Sequence, residues 1–67
     1  MRRLIGNAIL DIGEKAIIVW PDGRSEEAEY IDTFGNDHIL KSESGKDIRL
    51  TNRYIDLKGI TVTKKKN

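Results

Sequence analysis

Three turn signals, Pro21-Asp22-Gly23, Phe34-Gly35-Asn36-Asp37 and Ser44-Gly45-Lys46, punctuate the chain at nearly even spacing. They limit its fold more than any other feature. Proline presets φ for the second position of a turn, aspartate bonds forward to its own backbone, and glycine takes the left-handed position. The segments between them are too short for stable helices. Lys15 to Trp20 (KAIIVW) is a β-branched and aromatic run. Ser25 to Thr33 sets Glu27, Glu29 and Ile31 against Ala28 and Tyr30, and Asp47 to Thr51 sets Ile48 and Leu50 against Asp47, Arg49 and Thr51. Period-2 alternation between tight turns reads as strands joined by hairpins rather than by crossovers. His38 to Glu43 supplies the remaining strand of this series.

The two ends are read differently. In RRLIGNAILDIG the residues Leu4, Ile5, Ala8, Ile9 and Ile12 fall in one helical stripe, with Gly13 where a C-terminal cap belongs. A strand with Ala8, Leu10 and Ile12 on one face is the rival, since Gly6 weakens a helix; periodicity favours the helix. After an interruption at Asn52-Arg53-Tyr54, alternation resumes through Ile55 and Leu57, then Ile60 and Val62, with Gly59 marking a bulge or bend. The expectation is an all-β fold with a short N-terminal helix. Each strand must bury one face, and the economical solution is a small, strongly bent five-stranded barrel of the Sm or SH3 kind. One domain spans 1–63, and 64–67 reads as a basic disordered tail.

Size and composition bear on partners. A chain of 67 residues buries only about 60% of its unfolded surface on folding. Small domains add disulfides, metals or subunit contacts. Without cysteine and with a single histidine, self-association is the remaining staple. The lack of cysteine suits a reducing, cytoplasmic setting, and no segment has the length and apolarity to span a membrane. The net charge of +1 exerts no global pull on nucleic acid. Basic residues collect at Arg2, Arg3, Lys64, Lys65 and Lys66, while Glu26, Glu27 and Glu29 form an acidic strand face expected to be solvated.

No activated nucleophile, acid-base pair or glycine-rich phosphate loop is present. A non-catalytic protein is expected, with no cofactor and no metal. Arg53, read as lying in a strand-joining turn, suits phosphate because its fork donates two parallel hydrogen bonds; the alternative is a surface ion pair with Asp56 or Asp47. Asn52 offers an amide donor and acceptor to a base edge, or serves backbone. His38 reads as a half-exposed strand residue, with stacking or proton transfer as the other role. Trp20, Tyr30 and Tyr54 read as core or interface packing residues, with nucleotide or base stacking as the alternative for each.

The order helix, strand, turn, strand, then Phe34-Gly35-Asn36 leading into Ile39-Leu40, Gly45-Lys46 and Asn52-Arg53-Tyr54-Ile55, resembles the Sm-like fold and, within it, the Hfq family of bacterial RNA chaperones. Matches fall at Phe34, Asn36, Leu40, Gly45, Lys46 and Ile55, and the family's Lys-His pair falls on Asn52 and Arg53. The family's base-stacking aromatic falls on Asp37, beside His38, and the Arg-Gly signature of other Sm proteins falls on Thr51-Asn52. The resemblance implies a homo-oligomeric ring closed by pairing of the fourth strand with a neighbour's fifth. It also implies binding of single-stranded RNA or a small nucleotide through Asn36, His38, Asn52, Arg53 and Tyr54. The alternative is an SH3-like protein-interaction module or a small inhibitor, phage-encoded for example, that acts by binding a protein partner.

Overall fold

A computed structural model describes residues 2–65. Seven strands and one helix follow in the order β1 (Arg2–Ile5), β2 (Ala8–Asp11), β3 (Lys15–Val19), β4 (Ser25–Phe34), β5 (Asp37–Ser42), β6 (Asp47–Thr51), α1 (Asn52–Lys58) and β7 (Thr61–Lys64). β3 to β7 form one antiparallel sheet ordered β6-β5-β4-β3-β7, and β1 and β2 form a separate hairpin. The protein is therefore mostly β, as expected, but its sheet is not a closed barrel. β6 and β7 lie at opposite edges and do not pair with each other.

The central hairpins follow their turn chemistry. At Pro21-Asp22-Gly23 the Trp20 amide donates to the Arg24 carbonyl at 2.7 Å, and the Gly23 amide to the Trp20 carbonyl at 2.9 Å. The Asp22 carboxylate accepts from the Arg24 amide, two residues on, at 3.0 Å. Alternation then sends Ala16 and Ile18, Ala28 and Tyr30, Leu40, Ile48 and Leu50, and Val62 into one core. β4 is the long strand because it serves two partners in succession: Ser25 to Glu29 pair with β3, and Ala28 to Phe34 pair with β5. The register shifts between Tyr30 and Asp32, leaving Ile31 in a bulge that adds local twist.

Both ends depart from expectation. Residues 4–12 do not form a helix; they belong to the β1–β2 hairpin, with Ile5 opposite Ala8 across a two-residue turn, Gly6-Asn7. Gly6 has φ +60°, and among the described residues no non-glycine residue has positive φ, which makes this a type II′ turn. A left-handed backbone at Gly6 interrupts any helix. The helical stripe was coincidental: Ile5 and Ala8 are buried, but Leu4, Ile9 and Ile12 are exposed.

The expected strand from Ile55 to Thr63 is instead α1 followed by β7, so the chain's helix lies near its C-terminus. Thr51 caps α1, its Oγ1 accepting from the Tyr54 amide at 3.0 Å. Gly59, at φ +70°, ends it, and both the Gly59 and Ile60 amides turn back to the Ile55 carbonyl, the hydrogen-bond pattern of a helix closed by a left-handed glycine. Ile55 and Ile60 are buried, whereas Leu57 is 72% exposed, the reverse of what continued alternation requires. The core that a barrel would close on itself is covered instead by the β1–β2 hairpin, which packs towards β7 and α1 through Gly6 beside Ile55 and Val62.

At the basic C-terminal segment, Lys64 is the last residue of β7 and its ammonium meets Glu14 at 2.6 Å. Lys65 donates to Glu27. Residues 66 and 67 of the expected tail lie outside the described residues. The acidic stretch of β4 is solvated only in part: Glu29 is exposed, but Glu27 also meets Lys15 at 3.7 Å, and Glu26 accepts from the Trp20 indole at 2.7 Å.

Candidate functional site

A half-open cleft of about 520 Å³ lies where the β1–β2 hairpin, the β4–β5 turn and the start of α1 meet. Its polar lining includes Arg3, Asn36, His38, Asn52 and Arg53. Four of the five residues singled out from the sequence, Asn36, His38, Asn52 and Arg53, are thus neighbours around one space. Tyr54 is not among them. It lines a separate cleft of about 330 Å³ with Trp20, Ile48, Leu50 and the Asp37–Arg49 pair.

Each side chain arrives for a local reason. Asn36 is the second residue of the Gly35-Asn36 turn, where Gly35 has φ +60° and Phe34 pairs with Asp37; this is the same two-residue turn as Gly6-Asn7. Asn52 and Arg53 are the first two residues of α1, not a strand-joining turn. His38 shares the inward face of β5 with Leu40 and Ser42, so it is 4% exposed rather than half-exposed. Arg3 shares a face of β1 with the buried Ile5, which brings its base to the core side of the hairpin and leaves its guanidinium at the rim.

Asn52 is a clamp. Its Oδ1 accepts from the Gly6 amide at 2.9 Å and its Nδ2 donates to the Leu4 carbonyl at 2.8 Å. These bonds tie the first hairpin to α1 across nearly the whole sequence. The amide serves backbone, as the plainer sequence reading allowed, though backbone far from its own turn.

His38 forms part of the cleft wall with its Nδ1 buried and without a hydrogen-bond partner; the Tyr30 hydroxyl is in the same condition. The two rings meet edge to face, with centroids 6.1 Å apart. Burial, and then the positive charge of Arg3, push the imidazole below its ordinary value against the opposing pull of Asn52 and Asp37. His38 is therefore neutral at pH 7.

The arginines separate cleanly. Of the five in the chain, Arg2 meets Asp11 at 3.6 Å, Arg24 meets Asp22 at 2.6 Å and Arg49 meets Asp37 at 3.9 Å. Arg3 and Arg53 have no carboxylate partner among the described residues, and the expected alternative for Arg53, an ion pair with Asp56 or Asp47, is not formed. Both unpaired arginines line the cleft, and no carboxylate does.

No protein-family model, curated protein or solved structure matches this chain. What the cleft can do is therefore read from its own chemistry. Among the described residues no three His, Cys, Asp or Glu side chains converge to hold a metal. The cleft instead presents guanidinium and amide donors, which suit the oxygens of an anion. Arg3 was missing from the residues selected on sequence. Its signal was the Gly6-Asn7 turn, which makes the N-terminal segment a hairpin and puts Arg3 and Ile5 on one face.

Proposed function

We propose that this protein is a non-catalytic, self-associating binding protein for a phosphate-bearing small nucleotide or single-stranded RNA, with the arginine cleft as its ligand site. One observation carries the reading: among the described residues, the two arginines without carboxylate partners are the two that line a cleft without carboxylates. An unpaired guanidinium beside a neutral, buried imidazole is a donor held ready for an oxyanion. The size of the cleft supports a small ligand, since such sites commonly measure about 300–1,000 Å³.

The Sm-like reading is supported by strand order. β6 and β7 are the fourth and fifth strands of the large sheet in chain order and occupy its two edges. Pairing between protomers there would cover both edges. Leu4 and Ile9, cross-strand partners that are 55% and 57% exposed, add apolar surface for self-association. The second reading, a protein-interaction module, is favoured by the other cleft, where Trp20 and Tyr54 flank a floor formed by the buried Ile48 and Leu50 beside the β6 edge.

The test is a titration of the purified protein with nucleotides and short RNA, beside the Arg53→Ala variant. Loss of charge-assisted hydrogen bonds worth roughly 1.5–3 kcal/mol each should weaken binding by about 10- to 100-fold, while the melting temperature stays put because Arg53 is exposed and unpaired. Arg53→Lys should recover only part of the affinity. Unchanged binding with a lowered melting temperature would make Arg53 structural and remove the site. Native mass spectrometry gives the assembly: multiples of the 7.6 kDa chain support self-association, and a monomer carrying no nucleotide supports the interaction module.

A further inference from the structure

The cleft's donor count and charge select among phosphates. We propose, resting on the reading of the cleft as a phosphate site, that it takes the terminal phosphomonoester of a single nucleotide or strand end, and not an internal phosphodiester.

The first argument is stoichiometric. A guanidinium fork is satisfied by two oxygens in one plane, and Arg3 and Arg53 supply two forks to one cleft. A phosphodiester offers two unesterified oxygens, enough for one fork. A phosphomonoester offers three and can be gripped by both. The exposed amide of Asn36, on the turn side of the same cleft, can meet a remaining oxygen lone pair.

Charge gives the second argument. A phosphomonoester carries about −1.5 to −2 at pH 7, which matches two uncompensated arginines; a diester's single charge leaves one arginine unneutralised. The Asn52 amide is committed to Leu4 and Gly6, so the donors the cleft can turn to a ligand are the cationic Arg3 and Arg53 and the neutral Asn36 amide.

The surrounding surface supplies the third. Proteins that follow a strand use a continuous basic groove. Here Lys15, Lys64 and Lys65 are held by Glu27 and Glu14, and Arg2, Arg24 and Arg49 by aspartates. Lys41, Lys46 and Lys58 lie outside the cleft lining. Among the described residues the guanidinium groups without a carboxylate partner gather in this one cleft, an arrangement that suits one phosphate group better than an extended backbone.

The experiment titrates the full chain with the four common nucleoside 5′-monophosphates, their 3′,5′-cyclic monophosphates and the unphosphorylated nucleosides. A short oligoribonucleotide is compared with 5′-phosphate and with 5′-hydroxyl. At least one monophosphate should bind about tenfold or more tighter than its cyclic diester, and the 5′-phosphate should improve oligonucleotide binding by a similar factor. Arg3→Ala and Arg53→Ala should each bring the monoester-to-diester ratio close to one, with circular dichroism and melting unchanged. Equal affinity for monoester and diester, or for the two oligonucleotides, overturns the proposal while leaving the cleft as a phosphate site. No binding of any phosphorylated probe removes both.

Discussion

The chain makes the same turn twice, and the two copies do different work. Ile5-Gly6-Asn7-Ala8 and Phe34-Gly35-Asn36-Asp37 are both two-residue Gly-Asn hairpins with the glycine at φ +60°. The first is docked. Its glycine sits against Ile55 and Val62, and the Asn52 amide accepts from the Gly6 backbone. The second stands open, with nothing within 4 Å of where a Gly35 side chain would begin, and it lines the arginine cleft. Local turn chemistry sets a conformation; the surface that the turn meets sets its role.

Alanine at each of the two glycines separates docked from open most strongly. Left-handed φ costs a non-glycine residue roughly 1–2 kcal/mol, a penalty both positions share. At Gly6 the new Cβ would also lie 3.3 Å from Ile55 Cγ2, so a core side chain must yield. Gly6→Ala should lose about 2–3 kcal/mol, seen as a fall of about 10 °C or more in melting temperature for a domain this small. Gly35→Ala should lose only the backbone share. Equal losses would mean that docking of the first turn adds nothing.

The clamp comes next. Asn52→Ala removes both side-chain bonds to the hairpin, and at roughly 0.5–1.5 kcal/mol per hydrogen bond, partly replaced by water at this exposed site, a loss of about 1 kcal/mol is expected. Hydrogen exchange should quicken at the Gly6 amide before it does in β3 to β6. Uniform quickening would show that the hairpin and sheet open together and need no clamp.

The smallest effect is one of pH. The His38 imidazole titrates below its ordinary value in the folded chain, so on acidification the unfolded chain takes up the proton first. The contribution of neutral His38 to stability is whole above its ordinary value of about 6.5 and is lost as pH falls from there through the lowered folded value. Denaturation midpoints at about pH 7.5 and pH 5.5 should differ more in the native protein than in His38→Gln. An identical pH dependence in the two would place the titration elsewhere.

How much of this was legible follows the range of each interaction. β3, β4, β5 and β6 were readable nearly to the residue because their turns carry explicit residues and their faces alternate. The N-terminal hairpin was readable too, since Gly-Asn is the signal accepted at residues 35 and 36, but a coincidental helical stripe competed with it. α1 carried a capping threonine, a lysine in the last turn and a following glycine; Ile55, Leu57, Ile60 and Val62 mimicked alternation closely enough to hide them. Asn36, His38, Asn52 and Arg53 were chosen one by one, and the cleft that joins them was not legible.

Local residues set the central strands and their hairpins, because proline, glycine and aspartate act on backbone dihedrals within a few residues and period-2 burial needs only a core to face. Tertiary structure alone decided the rest. Whether β6 and β7 meet in a barrel depends on α1, which joins them in the chain, delivering β7 to the far edge beside β3, and on the β1–β2 hairpin covering the core in place of closure. Burial of His38 depends on which face of β5 turns inward, and the approach of Arg3 to Arg53 depends on Asn52 holding together segments nearly the length of the chain apart. Such contacts are set by packing between distant elements, and no local window of residues contains both partners.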